Sequence, residues 1–282
     1  MKFGANTFIF RSPFSTAEHL NLVKKFKHMG LDLIEVAVED PDLVDVALLK
    51  QALAEHQLSV VMCGAFGPDR NLSSLDPAVR ENARRYLYWM IDAAAELGSE
   101  KVIGPMYSAV GKARLEDEAD RKEEWSLAVK ELKQLCQYAA GKGVKLAFEP
   151  LNRFETDMVN VVEQGLKLIA DVDEPNIGFH LDTFHMHLEE KDSGAAIRAA
   201  GERVFHMHAC ENDRGVPGTG QVDWEGVFAA LKAIGYDGDV VIESFTPEVK
   251  SIARAVCIWR EIAPDQDTIV RDGAAFLKSL AG

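Results

Sequence analysis

Residues 144–182 read VKLAFEPLNRFETDMVNVVEQGLKLIADVDEPNIGFHLD. They hold one complete strand–helix–strand unit. The run Val144–Phe148 closes on Glu149, an amphipathic stretch spans about Met158 to Ala170, and a second run, Ile177–Leu181, closes on Asp182. Two later runs end the same way, Val204–Met207 on His208 and Asp239–Ile242 on Glu243. Side chains at i and i+2 share a face of a strand. Glu149 therefore shares its face with Ala147 and Lys145, Asp182 with His180, His208 with His206 above Val204, and Glu243 with Val241. Leu146, Phe148, Val240 and Ile242 point the other way, toward helices. Ionisable tips inside and apolar neighbours outside suit a barrel of parallel strands, whose active sites lie at the C-terminal strand ends.

The same alternation recurs outward from this unit. Phe3–Phe8, Leu31–Val38, Leu58–Cys63 and Lys101–Gly104 read as strands, and Thr16–His28, Leu43–Glu55 and Pro77–Leu97 as helices. A charged stretch from about Leu115 to Ala140 reads as a further helix. Asp76 is an N-cap candidate with proline at the first helical position, and Gly98 a C-cap candidate. Trp224–Ile234 is helical before the last strand, and Ser251–Leu280 is helical in pattern but broken near Pro264. Eight strand–helix units predict a (β/α)8 TIM barrel, one domain over residues 1–282 with a C-terminal helical extension. A doubly wound open sheet is the competing arrangement, but the Gly-x-Gly-x-x-Gly turn it usually carries after its first strand is absent.

Composition narrows the partners. The 282 residues are 47% hydrophobic and 27% charged, ordinary for a globular chain. With 31 basic and 45 acidic residues the net charge is −14, which repels phosphodiester backbones and disfavours nucleic acid as substrate. The four cysteines, Cys63, Cys136, Cys210 and Cys257, show no Cys-x-x-Cys pair, so neither a disulfide framework nor a zinc ribbon is expected. Cys63 and Cys210, near strand ends, read first as buried small apolar residues. No basic-then-apolar leader opens the chain and no apolar run approaches membrane-spanning length. A reduced, soluble, cytoplasmic protein without membrane contact is expected.

Three carboxylates and an imidazole converging at one barrel end would bind a hard or borderline divalent cation such as Mg²⁺, Mn²⁺ or Co²⁺. Burying such charges uncompensated costs roughly several kcal/mol per ion, so they need a partner. The alternative for each residue is to cap the next helix or pair with Arg153, Lys145 or Arg214. His206 and His180 read as interior residues supporting the site, and His187 as a helix-start or solvent-facing residue. His185, just past Asp182 in the loop at the catalytic face, reads as a substrate contact.

The segments Asn152-Arg153-Phe154-Glu155 and Leu181-Asp182-Thr183-Phe184-His185-Met186, with the loop Arg214…Pro217-Gly218…Gly220, resemble the ketose 3-epimerases. These are the D-tagatose, D-psicose (allulose) and L-ribulose 3-epimerases of the xylose-isomerase-like barrels. The resemblance runs from Gly4 to the C-terminal helix. It implies Glu149, Asp182, His208 and Glu243 as ligands of one divalent cation per subunit, usually Mn²⁺ and sometimes Mg²⁺ or Co²⁺, with no organic cofactor. It implies Glu155, His185 and Arg214 as contacts to a small ketose, with Cys63 at a pocket-lining position, and a homodimer or homotetramer. It further implies that Glu149 and Glu243, on opposite sides of the cation, exchange the C3 proton of the ketose through an enediolate. Phe14, Phe66, Met106 and Tyr107 are candidate wall or core residues. Asn6-Thr7-Phe8 stands where some family members carry an aromatic near the end of the first strand.

Rival readings are an aldose–ketose isomerase, which would call for further ligand carboxylates, and a hydroxypyruvate isomerase-like enzyme, which would want an extra basic group. An endonuclease IV-like barrel would need more histidine ligands. A non-catalytic sugar-binding protein would not need carboxylates on both sides of one cation.

Overall fold

The computed structural model describes residues 1–113, 117–245 and 247–282. Eight strands pair in parallel, in chain order, and β8 returns to β1 to close the barrel. The strands are β1 (Lys2–Asn6), β2 (Leu33–Val38), β3 (Ser59–Gly64), β4 (Lys101–Gly104), β5 (Lys145–Phe148), β6 (Ile177–Asp182), β7 (Val204–His208) and β8 (Asp239–Ile242). The helices around them are α1 (Thr16–His19), α2 (Asn21–His28), α3 (Val46–His56), α4 (Pro77–Leu97), α5 (Glu118–Ala140) and α6 (Val162–Val172). They continue with α7 (Thr183–Glu189), α8 (Ser193–Ala200), α9 (Trp224–Ala233), α10 (Lys250–Ala255) and α11 (Gln266–Ala281). The last, α11, packs against α9, β1 and β8 and so covers the seam where the barrel closes. Among the described residues no helix is long and apolar enough to cross a membrane.

Strand alternation sorts the core into two regions. Ile34, Val36, Leu146, Phe148, Phe179, Leu181, Val240 and Ile242 face outward into the large core shared with the helices. Leu33, Val61, Cys63, Ile103, Ala147 and Val241 form a separate cluster inside the barrel. Below them Lys101 Nζ donates to Asp239 Oδ2 at 2.7 Å and to the Phe205 carbonyl at 2.9 Å, while the Lys145 ammonium stands 4.9 Å from the Phe205 ring centre. The N-terminal mouth is thus plugged, and the polar side chains gather at the other end.

One strand departs from simple alternation. The β6–β7 register shifts between Phe179 and His180, so Phe179 pairs with Val204 but His180 pairs with His206. The extra residue is Phe205. A bulge of this kind turns the following side chains by one position. Val204 therefore joins the outer core, and Phe205, not Val204, packs against the interior cluster beneath His206. Gly178 makes room for that ring. A Cβ there would lie 2.5 Å from the Arg203 carbonyl oxygen and 2.6 Å from Phe205 Cδ2. Gly178→Ala should destabilise the protein by about 1–3 kcal/mol, the usual cost of overpacking. Urea unfolding should show a lower midpoint with an unchanged slope.

Helix ends differ from expectation where loops claim residues. Thr16–His28 divides at Leu20 into α1 and α2. The helix after β5 begins at Val162 rather than Met158, because residues 150–161 form a loop at the barrel mouth held by Asn160 Nδ2, which donates to the Leu151 and Thr156 carbonyls. The expected helix start at Leu115 lies outside the described residues, and α5 is seen from Glu118. Helix α4 matches its expected span, with Asp76 Oδ1 accepting from Ala78 N and Gly98 at φ +74°.

Candidate active site

Glu149 and Glu243 are the first residues beyond β5 and β8, and Asp182 and His208 are the last of β6 and β7. Strand geometry alone brings all four to the C-terminal mouth, each at most 7% exposed. Besides a third group that joins His208 to His180 and His206, their potential donor atoms form two groups that overlap. Asp182, His208 and Glu243, joined by Cys210, lie within 4.8 Å of one another, as do Glu149, Asp182 and His185. Asp182 belongs to both groups and so links Glu149 to the other two. Its Oδ1 accepts from Phe184 N at 2.7 Å, capping α7, which leaves Oδ2 facing the cluster. Asp182 therefore fills the capping role weighed for it and still offers an oxygen.

His208 is the clearest sign of what the cluster could hold. Its Nδ1 is fully buried and, among the described residues, has no hydrogen-bond partner, yet it lies 3.5 Å from Glu243 Oε2 and 3.9 Å from Asp182 Oδ2. Its other nitrogen, Nε2, is already engaged by Glu35 Oε1 at 2.7 Å. A buried imidazole nitrogen aimed between carboxylate oxygens is a donor set for a dication. Electrostatics agree. Burial, and then the Glu243 carboxylate, push the Glu149 carboxyl well above its usual range, so without added positive charge it keeps a proton. Burial works against a charged His208, but Glu35 and Glu243 outweigh it and raise its pKa well above the ordinary value. The residues present fit one divalent cation.

Arg214 supplies positive charge from the side. Its Nη1 donates to Asp182 Oδ2 at 2.9 Å and to Glu243 Oε2 at 2.6 Å, and its guanidinium carbon lies 4.1 Å from the Phe184 ring centre and 5.1 Å from that of Phe245. The pairing with site carboxylates weighed for Arg214 is thus present in this structure. Its backbone is left-handed, φ +64°, and is held there by a buried anchor. Glu211 accepts from the backbone N–H groups of Gly218, Gln221 and Val222 and from Trp224 Nε1, tying down the loop that presents Arg214. Gly218 and Gly220 are required by that wrap. Gly218 has φ +91°, and a Cβ on Gly220 would collide with Asn212 and Glu211.

His185 is oriented as a donor. Its Nδ1 accepts from Asn152 N at 3.0 Å, which places the proton on Nε2; that nitrogen faces Glu149 Oε1 at 3.6 Å and lies 3.4 Å from Arg214 Nη2, a donor from which it does not accept in this tautomer. Burial lowers its pKa to about 4, keeping it neutral near pH 7. Glu155 is half-buried and accepts from Asn152 Nδ2 at 2.8 Å, so Asn152 joins Glu155 to His185. Cys63 lies in the barrel interior, its thiol pushed up by burial and by Glu35, Glu243 and Glu149. Cys210 is not the purely apolar filler expected, because its thiol donates to Asp182 Oδ2 at 3.3 Å. Phe14, Phe66, Met106 and Tyr107 pack into the large outer core. His187 lies within α7 and is exposed. His180 and His206 are fully buried inside the barrel, His206 against Glu35 Oε2 at 2.7 Å.

Residues 23–280 match a family model described as xylose isomerase-like TIM barrel. The chain is 33% identical to an L-ribulose 3-epimerase from Methylomonas sp. (strain DH-1) over 99% of its own length and 97% of the relative's. It is 34% identical to a ketose 3-epimerase from Arthrobacter globiformis, covering 99% of this chain and 96% of that one. Among solved structures, D-allulose 3-epimerase from Methylomonas sp. in complex with D-allulose superposes with a TM-score of 0.93 at 32% identity, over 99% of this chain and 96% of the other.

Proposed function

Because the chain belongs to the ketose 3-epimerase family of xylose-isomerase-like TIM barrels, and so to a family of isomerases, we propose that it inverts C3 of small free ketoses of the D-tagatose, D-fructose, D-psicose and L-ribulose type. The observation that carries this reading is the placement of two buried carboxylates, Glu149 and Glu243, around the cluster of Asp182, His208 and Arg214.

Glu149, Asp182, His208 and Glu243 are the proposed cation ligands, with Mn²⁺ as the expected ion and Mg²⁺ or Co²⁺ as substitutes. When bound, the cation supplies Lewis-acid stabilisation of negative charge developing on the sugar oxygens. The chain's own residues do the rest. The hydrogen on C3 of a ketose is acidified by the neighbouring C2 carbonyl, and inversion requires the proton to leave one face and return on the other. Glu149 and Glu243 are assigned these two faces, one carboxylate taking the proton while the other, protonated, gives one back. Neutral His185, with its proton fixed on Nε2 by Asn152, is assigned to donate to a sugar oxygen. Arg214 is assigned to the C1–C2 end, where the Phe184 and Phe245 rings keep its guanidinium in place. Glu155 is assigned to orient the hydroxyls, and Cys63 to the floor of the pocket. A cytoplasmic homodimer or homotetramer is the proposed working form.

The test is conversion of D-fructose, D-tagatose and L-ribulose by chelator-stripped protein in D₂O, followed by NMR before and after adding Mn²⁺. Metal-restored formation of the C3 epimer with deuterium at C3 is expected. An aldose product would move the enzyme to C1–C2 isomerisation, and no conversion of any ketose by metal-loaded protein would leave a binding role.

A further inference from the structure

Glu35 is a fully buried carboxylate on β2, and the proton transfers assigned above make no use of it. It accepts three hydrogen bonds. Asn6 Nδ2 reaches Oε1 at 2.5 Å, His208 Nε2 reaches Oε1 at 2.7 Å, and His206 Nε2 reaches Oε2 at 2.7 Å. The orientation of Asn6 is not arbitrary, because its Oδ1 accepts from Phe8 N at 2.7 Å and its amide nitrogen must then face Glu35. With Asn6 already donating to Oε1, Glu35 faces the two rings as an acceptor, and each imidazole presents its N–H at Nε2.

We propose that Glu35 is a positioning residue for the cation site: across the barrel from β7, its carboxylate fixes the proton of His208 on Nε2 and so leaves the Nδ1 lone pair free to bind the ion. Carboxylate–histidine–metal chains orient the ring and raise the basicity of the ligating nitrogen, and their loss typically weakens metal binding by about 10–100-fold. The proposal rests on the cation site described above, and it adds a residue from a strand that contributes none of the four proposed ligands. Asn6 completes the arrangement from β1.

The variants separate charge from hydrogen bonding. In Glu35→Gln the amide oxygen takes the place of Oε1, where Asn6 still requires an acceptor, so His208 keeps its hydrogen bond and loses only the charge. In Glu35→Leu both are lost. Mn²⁺ affinity, measured by titration calorimetry, should fall by roughly 10-fold in Glu35→Gln and by about 100-fold in Glu35→Leu. Circular dichroism and thermal unfolding without metal check that each barrel is folded. A folded Glu35→Leu protein that binds Mn²⁺ as tightly as wild type overturns the proposal. Independently of any variant, ¹⁵N-histidine NMR of the Mg²⁺-loaded wild type should show His208 with a one-bond N–H coupling at Nε2 and none at Nδ1. A proton on Nδ1 overturns the proposal even if neither variant folds. Wild-type protein that binds no divalent cation would remove the cation site itself and this role with it, whereas wild-type binding with unaltered variants removes only the role of Glu35.

Discussion

Glu149→Gln and Glu243→Gln should each lower kcat for C3 epimerisation by about 10²–10⁴-fold, the range typical of a lost general acid–base. Both carboxylates are also proposed cation ligands, so the comparison must be made at saturating Mn²⁺ with bound metal quantified. Glutamine keeps the shape and one oxygen but cannot take a proton from carbon at neutral pH. The sharper signature lies in isotope exchange. If one carboxylate serves each face of C3, removing one leaves the other able to deprotonate the epimer whose hydrogen points toward it. Each variant should then keep exchange of C3 hydrogen with D₂O for one epimer and lose it for the other, and the two variants should show opposite preferences. Near-normal turnover in either variant would remove that residue from the proton transfers. Loss of exchange with both epimers in both variants, with metal bound, would assign the residues to holding the ion alone.

The four residues at the heart of this prediction were legible because parallel strands expose their C-terminal ends at one mouth. A carboxylate or imidazole that ends an apolar run is therefore directed to the site wherever it lies in the chain. The barrel itself followed from the same repetition. What alternation could not supply was the partner across the barrel. Glu35 sits within the apolar run Leu33–Val38, on the interior face between Leu33 and Ala37, and its contacts with His206 and His208 span 171 and 173 residues. An acidic residue in the middle of such a strand was the available signal, because a buried carboxylate there requires a partner. Asn152 and Glu211 were hidden for a different reason. Their work is done through loop backbone, fixing the His185 tautomer and the Arg214 loop, and loop geometry has no period to read. The Phe205 bulge likewise broke the two-residue period on which the inward placement of Val204 relied.

Removing the cation should abolish turnover, and its return should carry a definite pH dependence. Burial and Glu243 raise the pKa of Glu149, while Glu35 and Glu243 raise that of His208 against the effect of burial. Without the ion both groups therefore hold their protons to higher pH than they ordinarily would. A cation bound by Glu149 oxygen and His208 nitrogen must displace them, because ligands bind metal in their deprotonated forms. Binding therefore releases protons, and the direction follows: affinity rises as pH rises and weakens as acid returns the protons. Over the range in which both sites titrate, log K for Mn²⁺ should climb by about one to two units per pH unit, one for each proton displaced. Calorimetric titrations in buffers of different ionisation heat should report the same proton release. The ion binds only the folded barrel, so at about 100-fold excess over Kd it should add about 2.7 kcal/mol to stability, and this increment should shrink toward acid pH together with the affinity. A pH-independent affinity with no buffer dependence would mean that Glu149 and His208 are not the groups the ion displaces.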